Sequence, residues 1–305
     1  MKITDTKSLG EAIRVRRKEL HYTQMDLAEF TGFSTSFISD LERGKPTAEI
    51  GRTILLICLV WIYHLKEEAC CEAYNEQLCL MTAKKVGIEI PDSFVINVGD
   101  GRDEDVLFVT KRYDRMFSAD ASLIIGLQVP YRLHQEDFSQ ALGIASANKY
   151  EHEHAGDLSK MFELLRLYSS NPIEDQLKLW DICIFNYLIG NTDNHIKNVS
   201  LLYSADLQSI RLAPAYDIVS TVIYESSTRD MAFSIGQEYD INKIHRGSFM
   251  QEARKIGLGE KIAMRHFDDI ASKFETALNQ AYDELMEKGF VKAEDIKKRI
   301  PLRKL

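Results

Sequence analysis

The stretch Gly190-Asn191-Thr192-Asp193-Asn194-His195-Ile196-Lys197-Asn198-Val199-Ser200 sets a carboxylate, an imidazole, an ammonium and a carboxamide within six positions. Packing rarely needs so much polarity in so short a span. Four residues separate Asp193 from Asn198. At that spacing, phosphotransfer loops set a carboxylate that accepts a hydroxyl proton and an amide oxygen that holds magnesium. On this chemistry Asp193 takes the proton, Lys197 balances phosphate charge, and His195 orients the carboxylate or meets a phosphate. A second hard oxygen donor should follow a short hairpin, and Asp217 in Ala215-Tyr216-Asp217 stands there. Read instead as a polar helix end, the same stretch uses Asn191, Asp193 and Asn198 as turn caps.

Positioning these groups falls to the elements on either side. Pro172, Leu177, Trp180, Ile184 and Leu188 predict a buried helix that starts near the proline and stops at Gly190. The polar cluster then hangs off a rigid helix end. Leu201-Leu202-Tyr203 and Ser209-Ile210-Arg211-Leu212 predict a hairpin that returns the chain and delivers Tyr216-Asp217. Leu158, Met161-Phe162, Leu165 and Tyr168 form one amphipathic helix, and Gln135 to Gln140 is expected to open another. Residues 241–304 read as mostly helical, with Phe267, Ile270, Phe274 and Leu278 at helical spacing.

Length and composition set the frame. At 305 residues the chain can bury a sizeable core, and 45% apolar with 28% charged residues is globular. The net charge of -8 argues against a whole-chain polyanion binder. Residues 1–60 nevertheless carry nine Lys/Arg against eight Asp/Glu, so that head is near neutral on an acidic body. Five cysteines without a regular framework (Cys58, Cys70, Cys71, Cys79, Cys183) read as reduced, and they lack zinc-ligand spacing. There is no signal-peptide pattern. The most apolar run, Ile54 to Leu65, is too short to span a bilayer, so a cytoplasmic protein away from membranes is expected. His152 and His154 read as a solvated loop rather than a metal site.

The head has its own pattern. Leu9, Ile13 and Leu20 mark a first helix. Thr23 caps a second over Gln24 to Phe30, Gly32 breaks it, and Ser34 caps a third over Thr35 to Leu41. Phe37, Ile38 and Leu41 turn inward, which leaves Thr35, Ser36 and Ser39 on the outer face. Such small hydroxylic groups let a helix sit deep in the major groove. Gln24, Arg17, Arg43 and Lys45 are then candidate phosphate contacts, with Ser34 at the helix start. Ala48 to Leu56 predicts a closing fourth helix. Beyond it come a strand ending at Lys66, a helix up to Lys85, and a hairpin of Phe94–Val98 and Val106–Val109 about a Gly99-Asp100-Gly101 turn.

Thr23-Gln24, Leu27-Ala28, Gly32-Phe33-Ser34, Phe37-Ile38-Ser39 and Leu41-Glu42-Arg43-Gly44-Lys45 resemble the repressor-type helix-turn-helix family of Cro and HipB-like antitoxins. The resemblance covers most of residues 7–50. It implies binding to a double-stranded DNA operator, as a homodimer. The stretch from Gly190 to Ser200, followed by Ala213-Pro214-Ala215-Tyr216-Asp217-Ile218-Val219-Ser220-Thr221, is similar to the HipA family of bacterial serine/threonine kinases. Asn75-Glu76, Lys111-Arg112-Tyr113-Asp114-Arg115, Leu133 through Gln140 and Lys149-Tyr150-Glu151 extend that resemblance over roughly Asn75 to Leu285.

Carried over by position, the resemblance implies Asp193 as catalytic aspartate, and Asn198 and Asp217 as magnesium ligands. Gln135, His195 and Tyr216 would lie beside ATP, with Lys111 and Tyr113 at the adenine-side hinge. It implies a protein substrate phosphorylated on a hydroxyl. Two departures stand out. No glycine-rich phosphate loop precedes Asn75, and Lys66 is the one candidate for the lysine that grips the α- and β-phosphates. Lys111 also occupies a position that is acidic in many family members. The expected architecture is α+β, mainly helical: a helix-turn-helix unit (1–57), a reduced small lobe and hinge (58–118), and a helical large lobe (119–305). The expected function is a toxin–antitoxin-type kinase fused to its own repressor head. The alternative is a catalytically degenerate body serving a DNA-binding regulator.

Overall fold

The computed structural model describes residues 6–19, 23–31, 34–45, 63–66, 70–97, 106–117, 123–124, 127–128, 130–144 and 158–303. In chain order the head carries α1 (Thr6–Glu19), α2 (Gln24–Thr31) and α3 (Thr35–Glu42). Then come β1 (Tyr63–Lys66), α4 (Cys70–Val86), β2 (Ser93–Asn97) and β3 (Val106–Lys111). Short strands follow: β4 (Arg115–Met116), β5 (Leu123–Ile124), β6 (Leu127–Gln128), β7 (Tyr131–Arg132) and β8 (Gln135–Asp137). The remainder is α5 (Phe138–Ala141), α6 (Leu158–Tyr168), α7 (Pro172–Ile189), β9 (Ser200–Tyr203), β10 (Ile210–Leu212), β11 (Asp230–Ile235), β12 (Glu238–Asp240), α8 (Arg246–Lys255), α9 (Glu260–Glu287) and α10 (Ala293–Arg299). Among the described residues helix outweighs strand, so the fold is α+β as the sequence implies. The chain divides into two compact units: Met1–Ala73 with Asp92–Arg132, and Tyr74–Pro91 with Leu133–Leu305.

In the first unit the caps form where the sequence puts them. Thr23 Oγ1 accepts from the Asp26 amide at 3.1 Å while the Thr23 amide donates to Asp26 Oδ2 at 2.7 Å. Ser34 Oγ accepts from the Phe37 amide at 3.2 Å. Ala28, Ile38 and Leu41 make the head's core, with Ile13 and Phe37 against it. Gly10 lets α1 and α3 approach closely, since a Cβ there would lie 2.3 Å from the Leu41 carbonyl oxygen. The second motif is a sheet ordered β1-β3-β2 and antiparallel throughout, with Val106 to Val109 buried along its central strand. The expected hairpin is therefore present, and β1 adds a third strand. The fourth helix expected over Ala48–Leu56, the Gly99–Gly101 turn, Lys149–Glu151, His152 and His154 lie outside the described residues.

The second unit is built on α7. Leu179, Trp180, Ile184, Phe185, Leu188 and Ile189 are buried. Trp180 meets Phe249 edge-on at 5.5 Å between centroids, and Phe185 meets Phe274 at 6.0 Å. On α9, Phe267, Ile270, Phe274, Ala277, Leu278 and Ala281 repeat at three- and four-residue steps and are buried. One expectation is corrected here. Gln135–Asp137 do not open a helix: they pair as β8 with Leu202, Leu201 and Ser200 of β9. The helical signal begins only at Asp137, which caps α5 in a reciprocal capping box with Gln140. Cys79 and Cys183 are buried free thiols whose pKa values burial pushes up, which makes them inert. Among the described residues no helix is long and apolar enough to cross a membrane.

Candidate catalytic site

The site forms where α7 ends and β9 begins. At its N-terminal end α7 is clamped by Asp175, a fully buried carboxylate. Asp175 accepts from Ser169 Oγ at 2.6 Å, the Leu212 amide at 2.9 Å and Arg211 Nε at 3.0 Å. At the other end Gly190 turns the chain with φ 80°, and the Gly190 and Asn191 amides both donate to the Asn186 carbonyl, at 3.1 and 2.8 Å. A left-handed residue just past a helix is the glycine position par excellence of helix termination. Here a side chain is also barred, because a Cβ would come within 2.3 Å of Val222 Cγ2.

Side-chain amides then shape the loop. Asn191 Nδ2 donates to Asn186 Oδ1 at 2.8 Å, and Asn191 Oδ1 accepts from the Asp193 amide at 3.1 Å. Asn198 Nδ2 donates to the Asp193 carbonyl at 3.1 Å. That bond assigns the Asn198 amide, so Oδ1 is the atom it would present to a cation. Ile196–Asn198 form a single 3₁₀ turn that seats Ile196 in the core. Asn191, Thr192 and His195 are buried, while Asp193, Lys197 and Asn198 are half-buried. This exposure suits groups that must meet a substrate.

Asp217 arrives from the β9–β10 hairpin, as expected. Its φ of 56° is left-handed, a conformation that a non-glycine residue holds only where its surroundings over-determine it. The surroundings do so on both sides. Before it, the Ala213 amide donates to the Ser200 carbonyl and the Ala215 amide to the Glu89 carbonyl, both at 2.8 Å. After it, Ser220 Oγ donates to the Ile189 carbonyl at 2.6 Å, and the Val222 amide to the Gly190 carbonyl at 3.1 Å. Tyr216 donates to the Lys197 carbonyl at 3.0 Å, so its 2.6 Å contact with Ser200 must have Ser200 as the donor. Burial, with Asp137 and Asp217 nearby, pushes the Tyr216 phenol up to about 12 and keeps it protonated.

The donor set fits the groups that the chemistry needs. Magnesium is ordinarily held by one or two carboxylates together with substrate phosphates rather than by an all-protein cage. Among the described residues no group of three His, Cys, Asp or Glu gathers. One carboxylate (Asp217) and one amide oxygen (Asn198) therefore match such a shared site. Gln135 Oε1 is buried and meets no hydrogen-bond partner among the described residues, which suits an acceptor awaiting a ligand donor. In the first unit, Lys66 ends β1 opposite Phe108, Lys111 ends β3 exposed, and Tyr113 follows in a turn. Beside them Asp114 is buried and receives Arg112, Arg115 and Arg132. Burial would raise that carboxyl, but the Arg112 and Arg115 guanidiniums outweigh it and hold it below the ordinary range.

On the head, Thr35 and Ser36 are exposed on α3, Ser39 is half-buried, and Ser34 Oγ lies 2.9 Å from Ser36 Oγ. Arg43 and Lys45 are exposed and both pair with Asp40. Arg17 and Gln24 have an intramolecular role that sequence reading missed. Arg17 pairs with Glu42 through Nε and donates from Nη2 at 2.9 Å, and Gln24 Nε2 donates to the same carboxylate at 2.8 Å. Glu42 thereby ties all three helices together. Sequence reading also gave no role to Asn75, Asn186 or Ser200. The signal for Asn75 was available: Asn75, Glu76 and Gln77 are three polar residues within a helix stretch that is buried.

A model of the HipA-like C-terminal domain matches residues 59–278. The Sinorhizobium fredii kinase-named protein Y4mE is 34% identical over 214 residues, which is 69% of this chain and 47% of that one. The serine/threonine-protein kinase toxin HipA of Shewanella oneidensis is 26% identical over 214 residues, 67% of this chain and 47% of that one. The chain thus spans about half the length of these kinase relatives. The head matches an HTH-type transcriptional regulator of S. fredii, y4mF, at 39% identity over 56 residues, 18% of this chain and 74% of that one. Among solved structures, the S. oneidensis HipA, HipB and operator DNA complex superposes with a TM-score of 0.67 at 23% identity. It covers 78% of this chain and 57% of that one, a likeness of fold.

Proposed function

Because this chain belongs to the HipA-like C-terminal domain family, we propose that it is an ATP-dependent protein serine/threonine kinase joined to a DNA-binding repressor head. The observation that carries the reading is the loop after α7, where Asn198 is bonded to the backbone of Asp193 and Asp217 is held by contacts on both sides. When bound, ATP supplies the γ-phosphoryl group and magnesium neutralises its charge. Asp193 accepts the proton of the substrate hydroxyl at a carboxylate oxygen. Asn198 Oδ1 and Asp217 would hold the metal. Lys197 and His195 face phosphate charge, and Gln135 and Tyr216 line the nucleotide, with Lys66, Lys111 and Tyr113 as its small-lobe contacts. Residues 1–57 bind an operator as a homodimer through Ser34, Thr35, Ser36 and Ser39, with Arg43 and Lys45 on phosphates. Residues 58–118 form the reduced small lobe, and 119–305 the large lobe.

The test is magnesium-dependent transfer of label from radioactive ATP to protein. Asp193→Asn should lower it by at least ~10²-fold, the ordinary contribution of a general base. Asp217→Asn should abolish metal dependence along with turnover. A wild-type chain that neither transfers label nor gains thermal stability with magnesium-ATP refutes the enzyme reading. One observation favours a second reading, a catalytically degenerate body serving a transcriptional regulator: no glycine-rich loop precedes Asn75. That reading gives operator retention in a gel shift with no dependence on ATP.

A further inference from the structure

After α10 the chain turns back onto the catalytic half. Arg303 Nε donates to the Tyr187 carbonyl at 3.0 Å, and Nη1 to the Ile241 carbonyl at 3.1 Å. Its guanidinium lies over the Tyr187 ring, 5.0 Å from the centroid. The Tyr187 hydroxyl in turn donates to the Ile244 carbonyl at 2.8 Å. Tyr187 stands in the last turn of α7, three residues before Gly190, where helix carbonyls have no partner inside the helix.

Three other acceptors of that turn are met by segments of the site itself. Asn186 O takes the Gly190 and Asn191 amides, Ile189 O takes Ser220 Oγ, and Gly190 O takes the Val222 amide and Thr221 Oγ1. Arg303 alone in this group comes from a distant part of the chain and carries charge. A cation at a helix C-terminus interacts favourably with the carbonyl ends of the peptide dipoles. A planar guanidinium can also bridge two carbonyls in a fixed geometry, which a lysine ammonium on a flexible stem cannot reproduce.

We propose that Arg303 is a positioning residue for phosphoryl transfer. By closing the last turn of α7 it fixes the direction in which the chain leaves Gly190, and so the placing of Asp193 and Asn198. This rests on the kinase reading above. Rate is sensitive to such placing, because a misplacement of about 1 Å can cost on the order of 10²-fold. The guanidinium bonds to backbone carbonyls and lies on the Tyr187 ring rather than on Gln135, Asp193, Asn198, Tyr216 or Asp217, so its loss should act on turnover and leave nucleotide affinity alone.

The experiment uses the full chain and two readouts. In steady-state kinetics at a temperature where circular dichroism matches wild type, Arg303→Ala should lower kcat roughly tenfold, the equivalent of one hydrogen bond lost. The KM for ATP should stay within about twofold. Arg303→Lys should restore only part of the loss, and added ethylguanidinium should rescue Arg303→Ala but not Arg303→Lys. In hydrogen exchange, the Gly190 and Asn191 amides should exchange faster in Arg303→Ala while the middle of α9 stays unchanged. The exchange readout needs no activity. If wild type transfers no phosphate the kinase reading fails, and exchange still decides whether Arg303 fixes the loop. Unchanged exchange at residues 190–198 overturns the proposal. A uniform rise across the second unit also overturns it, because that is simple loss of stability. Should Arg303→Ala fail to fold, Arg303→Lys is read by the same two measurements and must show the local change.

Discussion

Asn75 offers the most searching test of how the site is held. Its Nδ2 donates to the Ser220 carbonyl at 3.0 Å and to the Tyr224 hydroxyl at 3.2 Å. Its Oδ1 accepts from the Ser220 amide at 3.0 Å and from Cys79 Sγ at 3.2 Å. One side chain thus satisfies both polar groups of a residue that stands three positions after Asp217. Asn75 and Ser220 are each 0% exposed, so bulk solvent does not reach the bonds between them. Asn75→Ala leaves a buried N–H and a buried C=O unpaired, and each such group costs about 1–3 kcal/mol. Two of them at the middle of that range give a loss of about 4 kcal/mol, a large part of an ordinary domain's stability. Asn75→Asp separates the two halves of the argument. It keeps an acceptor for the Ser220 amide but sets a second oxygen against the Ser220 carbonyl, so it should be no milder than alanine. The chain has two tryptophans, Trp61 and Trp180. In a Trp61→Phe background Trp180 reports alone, from a fully buried position bonded to the Ala263 carbonyl. Urea unfolding followed by that fluorescence should show the ~4 kcal/mol loss at unchanged slope. A loss below about 1 kcal/mol would mean that Ser220 is satisfied some other way, and the reasoning would be wrong.

Further expectations follow from single contacts. Gly190→Ala meets both a φ of 80° and Val222 Cγ2, so it should lower the melting temperature by several degrees, and an unchanged melt would show the turn to be adaptable. Tyr216 has a raised folded-state pKa of about 12 against an ordinary value near 10. Its stabilising effect is therefore full below pH ~10 and fades as pH climbs from there towards 12. Tyr216→Phe should flatten the fall in urea midpoint across that alkaline window, and an identical fall in both proteins would assign it to other groups. Ser36 is exposed on the outer face of α3, so Ser36→Asp should weaken operator retention in a gel shift without altering the melt. Equal retention by the two proteins would move the DNA contact to another face.

What was legible in the sequence was whatever is decided within a few residues. Ser34 as a cap, Gly190 as a helix stop and the β9–β10 hairpin depend on local conformational preference, and each forms as read. The Gln135 stretch fails for the complementary reason. Its helix signal is real but belongs to Asp137 onward, and the three residues before Phe138 are drawn into pairing with a strand more than 60 residues away. Arg17 shows the same effect in a side chain: beside Arg14, Arg16 and Lys18 it reads as a phosphate contact, yet Glu42, 25 residues on, claims it.

The site itself divides along this line. Asp193, Lys197 and Asn198 stand out as candidates because they are polar, close together and without an obvious packing role. The residues that hold them do not, since an asparagine in a helix or an arginine near a chain end has many uses. Asn75 reaches Ser220 across 145 positions, and Arg303 reaches Tyr187 across 116. Catalytic groups must stay exposed enough to meet a substrate, so little of their own burial can hold them. Their precision has to come from buried hydrogen bonds to neighbours on distant segments. A chain can therefore keep the Asp193–Asn198 loop intact in sequence while losing turnover through its anchors. On the kinase reading proposed above, substitutions at Asn75, Ser220 or Arg303 would be as informative about activity as any at Asp193.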